Sequence, residues 1–290
     1  MKIEKEKACA KLNMSLDVAS RRDDGYHEMI MVMQTVSLGD EVSVRLNDSG
    51  RVSARTSFHF IPGDERNLAV KAALCYLEAI DRKDQGAFIE IEKVVPVGAG
   101  MGGGSADAAA VLRAMNRLFG RPLSMGQLAE LAGRVGSDVA FCLVGGTALA
   151  TGRGEKLRPL PAMPECSFVV CKPEFSVSTP ELFRKLDMMP LRRHPDTAGL
   201  IDALEKGQLN QVCRRMYNVF EDVDDRRLRS VADIKSRLLD HGALGAVMTG
   251  TGSAVFGVFR PGQDTAGVCA ALKKEYGFCE KAVCTGPFEA

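Results

Sequence analysis

The sequence lacks several features that would assign it to a class directly. It has 38 lysines and arginines against 37 aspartates and glutamates, so it lacks the basic excess of nucleic-acid-binding or membrane-surface domains. None of its nine cysteines forms a C-x-x-C pair, which argues against zinc and redox sites and favours buried, reduced thiols. The longest uncharged stretch, residues 242–259, contains five glycines and is therefore not a candidate membrane span.

The N-terminal segment MKIEKEKA is charged and lacks the apolar stretch of a signal peptide. Together with the cysteine pattern, this predicts a cytoplasmic protein with no nucleic-acid or membrane partner. The chain is 46% hydrophobic and 26% charged, which is typical of a globular protein and excludes disorder, collagen and coiled coil. At about 150 residues per domain, the length predicts two domains.

The first half of the chain mixes strand and helix patterns. Apolar and polar residues alternate over 41–46 and 88–92, which predicts half-buried strands. Residues 67–79 have the apolar spacing of a helix. Two further helices are predicted, one capped by Ser105 and one that begins with a capping box at Ser124.

The second half is mixed as well. The apolar stretch after Asp138 predicts a strand, and the prolines and glycines of residues 152–165 predict a linker. Strands are predicted at 167–171, 244–248, 254–259 and 281–285, and helices after Thr179-Pro180 and at 197–206, 208–219, 226–240 and 264–276. Because strands and helices do not alternate strictly, the pattern favours an α+β fold over a doubly wound sheet. The linker divides the chain into domains 1–157 and 158–290.

Five of the seven residues from Gly98 to Gly104 are glycine. Each glycine costs about 0.5–1 kcal/mol of backbone entropy, so the missing side chains must serve a purpose. Close approach of backbone N–H groups to an anion at the start of a helix fits best, and it predicts phosphate binding. The alternative is a flexible turn. The candidate phosphate-binding residues are Pro96, Val97, Gly98, Ala99, Gly100, Met101, Gly102, Gly103, Gly104, Ser105 and Ala106.

Three common phosphate loops do not match this segment. Gly98, Gly100 and Gly103 satisfy G-x-G-x-x-G, but no acidic residue ends a second strand about 20 residues later. No lysine follows Gly104 as in a Walker loop, and the H-R-D and D-F-G motifs of protein kinases are absent. A nicotinamide-dependent oxidoreductase and a nucleotide-binding module without catalysis remain open as remote alternatives.

Three segments resemble motifs of the galactokinase, homoserine kinase, mevalonate kinase and phosphomevalonate kinase (GHMP kinase) superfamily. They are Ala10–Leu16, the glycine-rich PVGAGMGGGSADAAA and MTGTGSAVFGVF from Met248 to Phe259. The resemblance implies a two-domain fold, with an N-terminal ATP-binding domain of ribosomal-protein-S5-like topology and a C-terminal ferredoxin-like α/β sandwich. It also implies ATP as co-substrate and a small-molecule acceptor.

Within this superfamily, the sequence is similar to the 4-diphosphocytidyl-2-C-methyl-D-erythritol kinases of the non-mevalonate isoprenoid pathway. The similar segments are Lys11-Leu12-Asn13, Asp24-Gly25-Tyr26-His27, Gly136-Ser137-Asp138-Val139 and Gly152-Arg153-Gly154-Glu155. This resemblance implies ATP-dependent phosphorylation of the substrate's 2-hydroxyl. A mevalonate-type or homoserine-type kinase is the alternative, against which the segment around Tyr26 argues.

The resemblance implies that Lys11 and Asp138 are the catalytic residues. Lys11 would hydrogen-bond the reacting hydroxyl or the transferring phosphoryl group and stabilise developing negative charge. Asp138 would accept the proton of the substrate hydroxyl, with Lys11 favouring its ionised form. By residue type alone, Lys11 would most often be an exposed strand lysine, and a capping or turn aspartate would be favoured for Asp138.

For the cytidyl substrate, the resemblance implies that Tyr26 stacks on the cytosine and that His27 hydrogen-bonds its edge. Phe183 would close the other side of the base, although core packing also explains it. Asn13 would contact the substrate diphosphate or position Lys11. Thr179, at the start of the same helix as Phe183, belongs to this predicted group.

For ATP, the resemblance implies that Asn67 and Lys93 lie near the adenine. The turn Gly250, Thr251, Gly252 and Ser253 would form a second backbone nest beside the active site. Mg²⁺ is expected on the ATP phosphates, with Ser105 as a possible ligand. Position 33 departs from the pattern because it is Met where relatives often carry a larger aromatic residue. The protein is expected to be a monomer or weak homodimer.

Overall fold

Residues 2–289 are described by a computed structural model in which two β-sheets carry most of the helices. The strands of the first sheet have the bounds β1 Ile3–Arg21, β2 His27–Asn47, β3 Val52–Thr56, β4 Gly86–Glu92, β5 Thr147–Gly152, β6 Lys156–Pro159 and β8 Tyr217–Asn218. Its central order is β3-β4-β2-β1-β8, and β5 pairs with a second stretch of β2 while β6 pairs with β5. The long strand β2 therefore branches the sheet.

The helices of the first half pack on this sheet. Their bounds are α1 Leu68–Ala79, α2 Gly103–Leu118, α3 Met125–Val135 and α4 Val139–Val144. Helix α2 is buried almost throughout and contacts both β1 and α1, because its alanines allow close packing. A complete capping box at Ser124 begins α3, as predicted. The buried helix α2 thus fixes the position of residues 96–102, the glycine loop, which precede it.

The second sheet has the order β11-β7-β10-β9 and is antiparallel throughout. Its strands are β7 Ser167–Lys172, β9 Gly245–Met248, β10 Val255–Phe259 and β11 Phe278–Val283, and the helices of this half are α5 Thr179–Asp187, α6 Thr197–Glu205, α7 Leu209–Arg214, α8 Leu228–Asp240 and α9 Thr265–Tyr276. With α8 and α9 as the connecting helices, this is a β-α-β-β-α-β arrangement. The predicted α+β class and the ferredoxin-like second half are confirmed.

Several predicted elements are wrong in detail. The stretch after Asp138 forms α4, because a short apolar run does not distinguish a buried helix from a strand. Ser105 lies in the first turn of α2, whose N-cap is Gly102. The helix predicted at 208–219 ends at Arg214, before β8 and a 3₁₀ turn at Val219–Asp222. The last strand, β11, begins and ends earlier than predicted.

The predicted linker contains a strand of the first sheet, and residue 157 lies inside that strand, β6. Two parts of the second half also return to the first sheet. Strand β8 pairs with β1, and single bridges join Cys284 to Val36 and Pro287 to Gly145. The division into 1–157 and 158–290 stays a prediction. In the described part of the chain, every helix is too short or too polar to cross a bilayer.

Candidate active site

Two adjoining clefts lie where the two sheets meet. The larger has a volume of about 730 Å³ and extends from Tyr26 and His27 to Asp138. The smaller has a volume of about 460 Å³ and runs along the glycine loop to Asn67. Both are lined by Gly98, Gly100, Gly102 and Ser105. The glycine loop therefore borders both clefts.

The glycine loop depends on left-handed backbone at Gly98, Gly100 and Gly102, whose φ values are +65°, +74° and +68°. Helix α2 begins directly after it, at Gly103. The N–H groups of a helix's first turn have no partner within the helix, so they are available to an anion. The N–H of Ala106 is not available to an anion in this way, because it donates to the Gly102 carbonyl at 2.8 Å.

Gly100 is the place where the glycine loop crosses the turn at Thr249. A Cβ atom on Gly100 would lie 2.0 Å from the Thr249 carbonyl oxygen, a distance that no side chain could accommodate. The Thr249 hydroxyl also donates to the Gly100 carbonyl at 3.2 Å. Gly100 is therefore required by this crossing of the two halves, besides its left-handed φ.

Lys11 and Asp138 meet on the floor of the larger cleft. The Lys11 Nζ lies 3.5 Å from Asp138 Oδ2 and donates to Asn13 Oδ1 at 2.6 Å. The Lys11 side chain is buried, so its interpretation as an exposed strand lysine is wrong. Asp138 lies in a turn, at the N-cap position of α4, but its side chain makes no capping hydrogen bond in the described residues. Its carboxylate is instead partly open to the cleft.

Asn13 and Thr249 join the first sheet to the turn after β9. The Asn13 Oδ1 accepts hydrogen bonds from the Lys11 ammonium and from the Gly250 N–H at 3.0 Å. The Asn13 N–H donates to Thr249 Oγ1 at 3.1 Å. Both residues are completely buried. Asn13 therefore accepts a hydrogen bond from Lys11, which is consistent with the positioning role predicted for it. Thr249 is a buried residue of the site that sequence reasoning did not single out.

The far end of the larger cleft is aromatic. Tyr26 is 56% exposed, and the Arg153 guanidinium lies 5.1 Å from the centre of its ring. His27 stacks on Phe183 with ring centroids 4.5 Å apart, and Phe183 in turn packs edge-on against Phe220. All three predicted residues, Tyr26, His27 and Phe183, thus line this end of the larger cleft.

The other predicted residues of this end have mostly local partners. The Thr179 hydroxyl lies 2.8 Å from the Thr251 hydroxyl, which connects α5 to the second glycine turn. The buried Ser253 hydroxyl donates to the Phe175 carbonyl at 2.7 Å, so it serves the structure of the turn. These contacts join the turn at residues 250–253 to α5 and to the segment that precedes it.

Asn67 and Lys93 line the smaller cleft, but their polar atoms are engaged. Asn67 caps α1 through the Ala69 N–H and donates to the Pro62 carbonyl, both at 2.9 Å. The buried ammonium of Lys93 lies 2.5 Å from Asp40 Oδ2 and 2.7 Å from Asp107 Oδ2. The adenine contact predicted for Lys93 therefore finds no free ammonium.

The buried ion pairs of Lys93 with Asp40 and Asp107 lie next to the start of α2, where the glycine loop ends. Lys93 Nζ lies 3.5 Å from the position of a Cβ on Gly103. Burial raises the pKa of Asp107 to about 7, against the lowering effect of the Lys93 ammonium. Burial alone lowers the pKa of Lys93, but the two carboxylates outweigh it and raise that pKa. Two carboxylates thus share one buried cation.

Met33 does not shape the pocket. It is fully buried in the core, whereas Met31 lines the larger cleft and accepts a hydrogen bond on sulfur from the Asn13 amide at 3.4 Å. The departure from the family pattern at position 33 therefore concerns core packing. Arg184 and Asp187 of α5 also line this cleft, and no motif or spacing in the sequence would have selected them.

A divalent ion fits this site only if ATP carries most of its ligands. Residues 2–289 contain no cluster of three or more histidine, cysteine, aspartate or glutamate side chains able to hold a metal. Ser105, which lines both clefts, is the side chain at the loop with the hard oxygen that Mg²⁺ prefers. This donor set suits Mg²⁺ bound mainly through phosphate oxygens.

The fold and the glycine loop correspond to a known class of kinases. Residues 67–146 match the family described as GHMP kinases N terminal domain, and residues 200–277 match GHMP kinases C terminal. A crystal structure of a homoserine kinase from Cytophaga hutchinsonii aligns with a TM-score of 0.77, over 99% of this chain and 96% of that one. At 24% identity, this alignment shows the shared fold.

More similar proteins narrow the class. The 4-diphosphocytidyl-2-C-methyl-D-erythritol kinase of Bacillus velezensis is 44% identical over 95% of this chain and 94% of its own length. The Listeria monocytogenes protein of the same name is 42% identical, over 97% and 95%. A crystal structure of 4-(cytidine 5'-diphospho)-2C-methyl-D-erythritol kinase is 33% identical, with a TM-score of 0.81 over 98% of this chain and all of that one. The chain belongs to the 4-diphosphocytidyl-2-C-methyl-D-erythritol kinase family of the GHMP kinases.

Proposed function

We propose that the protein transfers the γ-phosphoryl group of ATP to the 2-hydroxyl of 4-diphosphocytidyl-2-C-methyl-D-erythritol. The observation that carries this proposal is that one cleft contains both the Lys11–Asp138 pair and the aromatic group around Tyr26. The charged pair can activate a hydroxyl, and the aromatic group offers a stacking surface for a base. The names of the relatives support the choice of acceptor.

The two clefts suggest how the reactants are arranged. ATP would occupy the smaller cleft, with its phosphates against the glycine loop and the first turn of α2. The cytidyl substrate would occupy the larger cleft, with its base near Tyr26 and its 2-hydroxyl near Asp138. Because kinases act chiefly by positioning and electrostatic stabilisation, this division between adjoining clefts accounts for much of the catalysis.

In the chemical step, Asp138 accepts the proton of the 2-hydroxyl while the hydroxyl oxygen forms a bond to the γ-phosphorus. The bond from that phosphorus to the bridging oxygen breaks, and ADP leaves with the electron pair. The Lys11 ammonium, held by Asn13, stabilises the negative charge that develops. Ser105 is the proposed protein ligand for Mg²⁺, which would supply neutralisation of the phosphate charge.

An ADP-release assay tests the proposal directly. The purified chain is supplied with ATP, Mg²⁺ and, in parallel reactions, the cytidyl substrate, mevalonate or homoserine. We expect ADP to form only with the cytidyl substrate and the product to carry the new phosphate on the 2-hydroxyl. Turnover of mevalonate or homoserine, or of none of the three, would overturn the proposal.

A further inference from the structure

Helix α5 holds the imidazole of His27 with two side chains one helical turn apart. Phe183 stacks on the ring at a centroid distance of 4.5 Å and an interplanar angle of 25°. Asp187 Oδ1 lies 2.7 Å from His27 Nε2. Residues i and i+4 lie on the same face of a helix, so a single element fixes both the plane and the rotation of the imidazole.

The surroundings of the imidazole make this arrangement specific. The His27 side chain is 11% exposed and that of Asp187 is 33% exposed, so the hydrogen bond between them is shielded mainly on the histidine side. Phe220 holds Phe183 edge-on, with ring centroids 4.9 Å apart. All four residues line the larger cleft, at the end that contains Tyr26.

The hydrogen bond determines which imidazole nitrogen carries the proton. An ionised carboxylate can only accept hydrogen bonds, so Nε2 must donate to Asp187. In the neutral imidazole, Nδ1 is then a hydrogen-bond acceptor. The 4-amino group of cytosine is a donor, whereas uracil presents a carbonyl acceptor at the same position. An acceptor at His27 would therefore suit cytosine and repel uracil.

We infer that Asp187 is a positioning residue that determines base specificity, by fixing His27 as the Nε2–H tautomer that accepts from the amino group of cytosine. This inference rests on the proposed function, because it takes the base of the proposed substrate as the ligand of this end of the cleft. Asp187 contributes no contact to the base, and its effect passes through His27.

Binding of CDP and UDP to the full chain, measured by calorimetry, tests the inference. We expect the unmodified protein to bind CDP about tenfold or more tightly than UDP. With CDP the amino group of cytosine would donate to His27 Nδ1, whereas with UDP the carbonyl of uracil would face the same nitrogen as a second acceptor. Asp187→Ala should weaken CDP binding about tenfold and leave UDP binding unchanged, so the two affinities converge. Asp187→Asn, which retains an acceptor oxygen, should restore part of the preference.

The matched control is Asp202→Ala. Asp202 is also a helical aspartate of this half, but it is exposed and pairs with Lys206 in α6. This variant should keep the preference for CDP, and none of the variants should change the KM for ATP. If Asp187→Ala keeps the full preference for CDP, the inference is wrong.

The tautomer itself can be observed by nitrogen-15 NMR, because the chain has only four histidines. We expect the neutral imidazole of His27 to carry its proton on Nε2, and Asp187→Ala to produce a mixture of tautomers. Protonation on Nδ1, alone or together with Nε2, would overturn the inference even if the enzyme turns over the cytidyl substrate. A protein that neither turns over that substrate nor binds either diphosphate would instead overturn the proposed function, and the inference with it.

Discussion

The Lys11 ammonium and the Asp138 carboxylate face each other at 3.5 Å across the floor of the larger cleft. Their side chains differ in exposure, at 4% for Lys11 and 28% for Asp138. The cation is thus shielded from water while one side of the carboxylate remains open to a ligand. A buried cation beside an accessible carboxylate suits a base that must accept a proton next to developing negative charge.

Asp138→Ala should abolish phosphoryl transfer while leaving ATP binding intact. Loss of a general base lowers kcat by about 10²–10⁴-fold, and Asp138 lines only the larger cleft. Steady-state kinetics with the cytidyl substrate and calorimetry with ATP measure the two effects separately. Asp48→Ala, at an exposed turn, is the control and should behave like the unmodified protein. Turnover of Asp138→Ala within tenfold of normal would refute the assignment.

Tyr26→Ala should raise the KM for the cytidyl substrate and not that for ATP. Stacking of a base on an aromatic side chain contributes about 1–3 kcal/mol, which corresponds to an increase of about 5- to 150-fold. Tyr26→Phe keeps the ring and should keep the KM close to normal. If Tyr26→Ala changes the KM for the cytidyl substrate no more than that for ATP, the tyrosine is not the stacking surface.

The parts of the site that could be predicted are those whose residues lie within short, contiguous sequence motifs. Three of the five glycines from Gly98 to Gly104 have a positive φ, which residues with a side chain rarely adopt. Lys11, Asn13 and Asp138 were found through their flanking motifs, and the structure brings them together. Tyr26 was found in the same way.

What could not be predicted depends on contacts between distant segments. Thr249 belongs to the site because its carbonyl oxygen lies against Gly100. Asp187 belongs to it because α5 packs on the start of β2, where it contacts His27. The sequence does not show that the Lys93 ammonium is already paired. In the fold it forms ion pairs with two carboxylates, one from β2 and one from α2. The helix after Asp138 was missed because six apolar residues carry no period that separates helix from strand.

Gly100→Ala should destabilise the protein and weaken ATP binding together. The new Cβ would clash with the Thr249 carbonyl at 2.0 Å and sit at a φ of +74°, so the two turns would have to separate. We expect a loss on the order of 1–3 kcal/mol in the free energy of unfolding and a higher KM for ATP. Urea denaturation and steady-state kinetics measure these quantities.

Gly133→Ala is the matched control for this substitution. Gly133 lies inside α3, and a Cβ there would meet nothing within 4 Å. The same change should therefore stabilise the protein by about 0.5–1 kcal/mol, with unchanged kinetics. Equal effects of the two substitutions would contradict the role given to the crossing at Gly100.

The pH dependence of the free energy of unfolding should report the protonation of Asp107, which pairs with Lys93 near the glycine loop. The folded pKa of Asp107 is about 7, above the ordinary value of 3.8, so between these values the folded chain holds a proton that the unfolded chain releases. The contribution of this proton to the free energy of unfolding is therefore present at low pH, and it is lost as the pH rises through the folded pKa. Asp107→Asn removes the proton exchange and should remove this slope.

Urea denaturation of both proteins from pH 5 to pH 8 tests this prediction. The free energy of unfolding of the unmodified protein, relative to Asp107→Asn, should decrease by on the order of 1–3 kcal/mol up to about pH 7 and then level off. A constant offset between the two proteins is expected, because the amide NH2 of the new asparagine takes the place of Asp107 Oδ1, an atom with no hydrogen-bond partner among residues 2–289. Only the slope reports the proton. Parallel curves would show that Asp107 is ionised throughout, in which case Lys93 would be paired with two full negative charges.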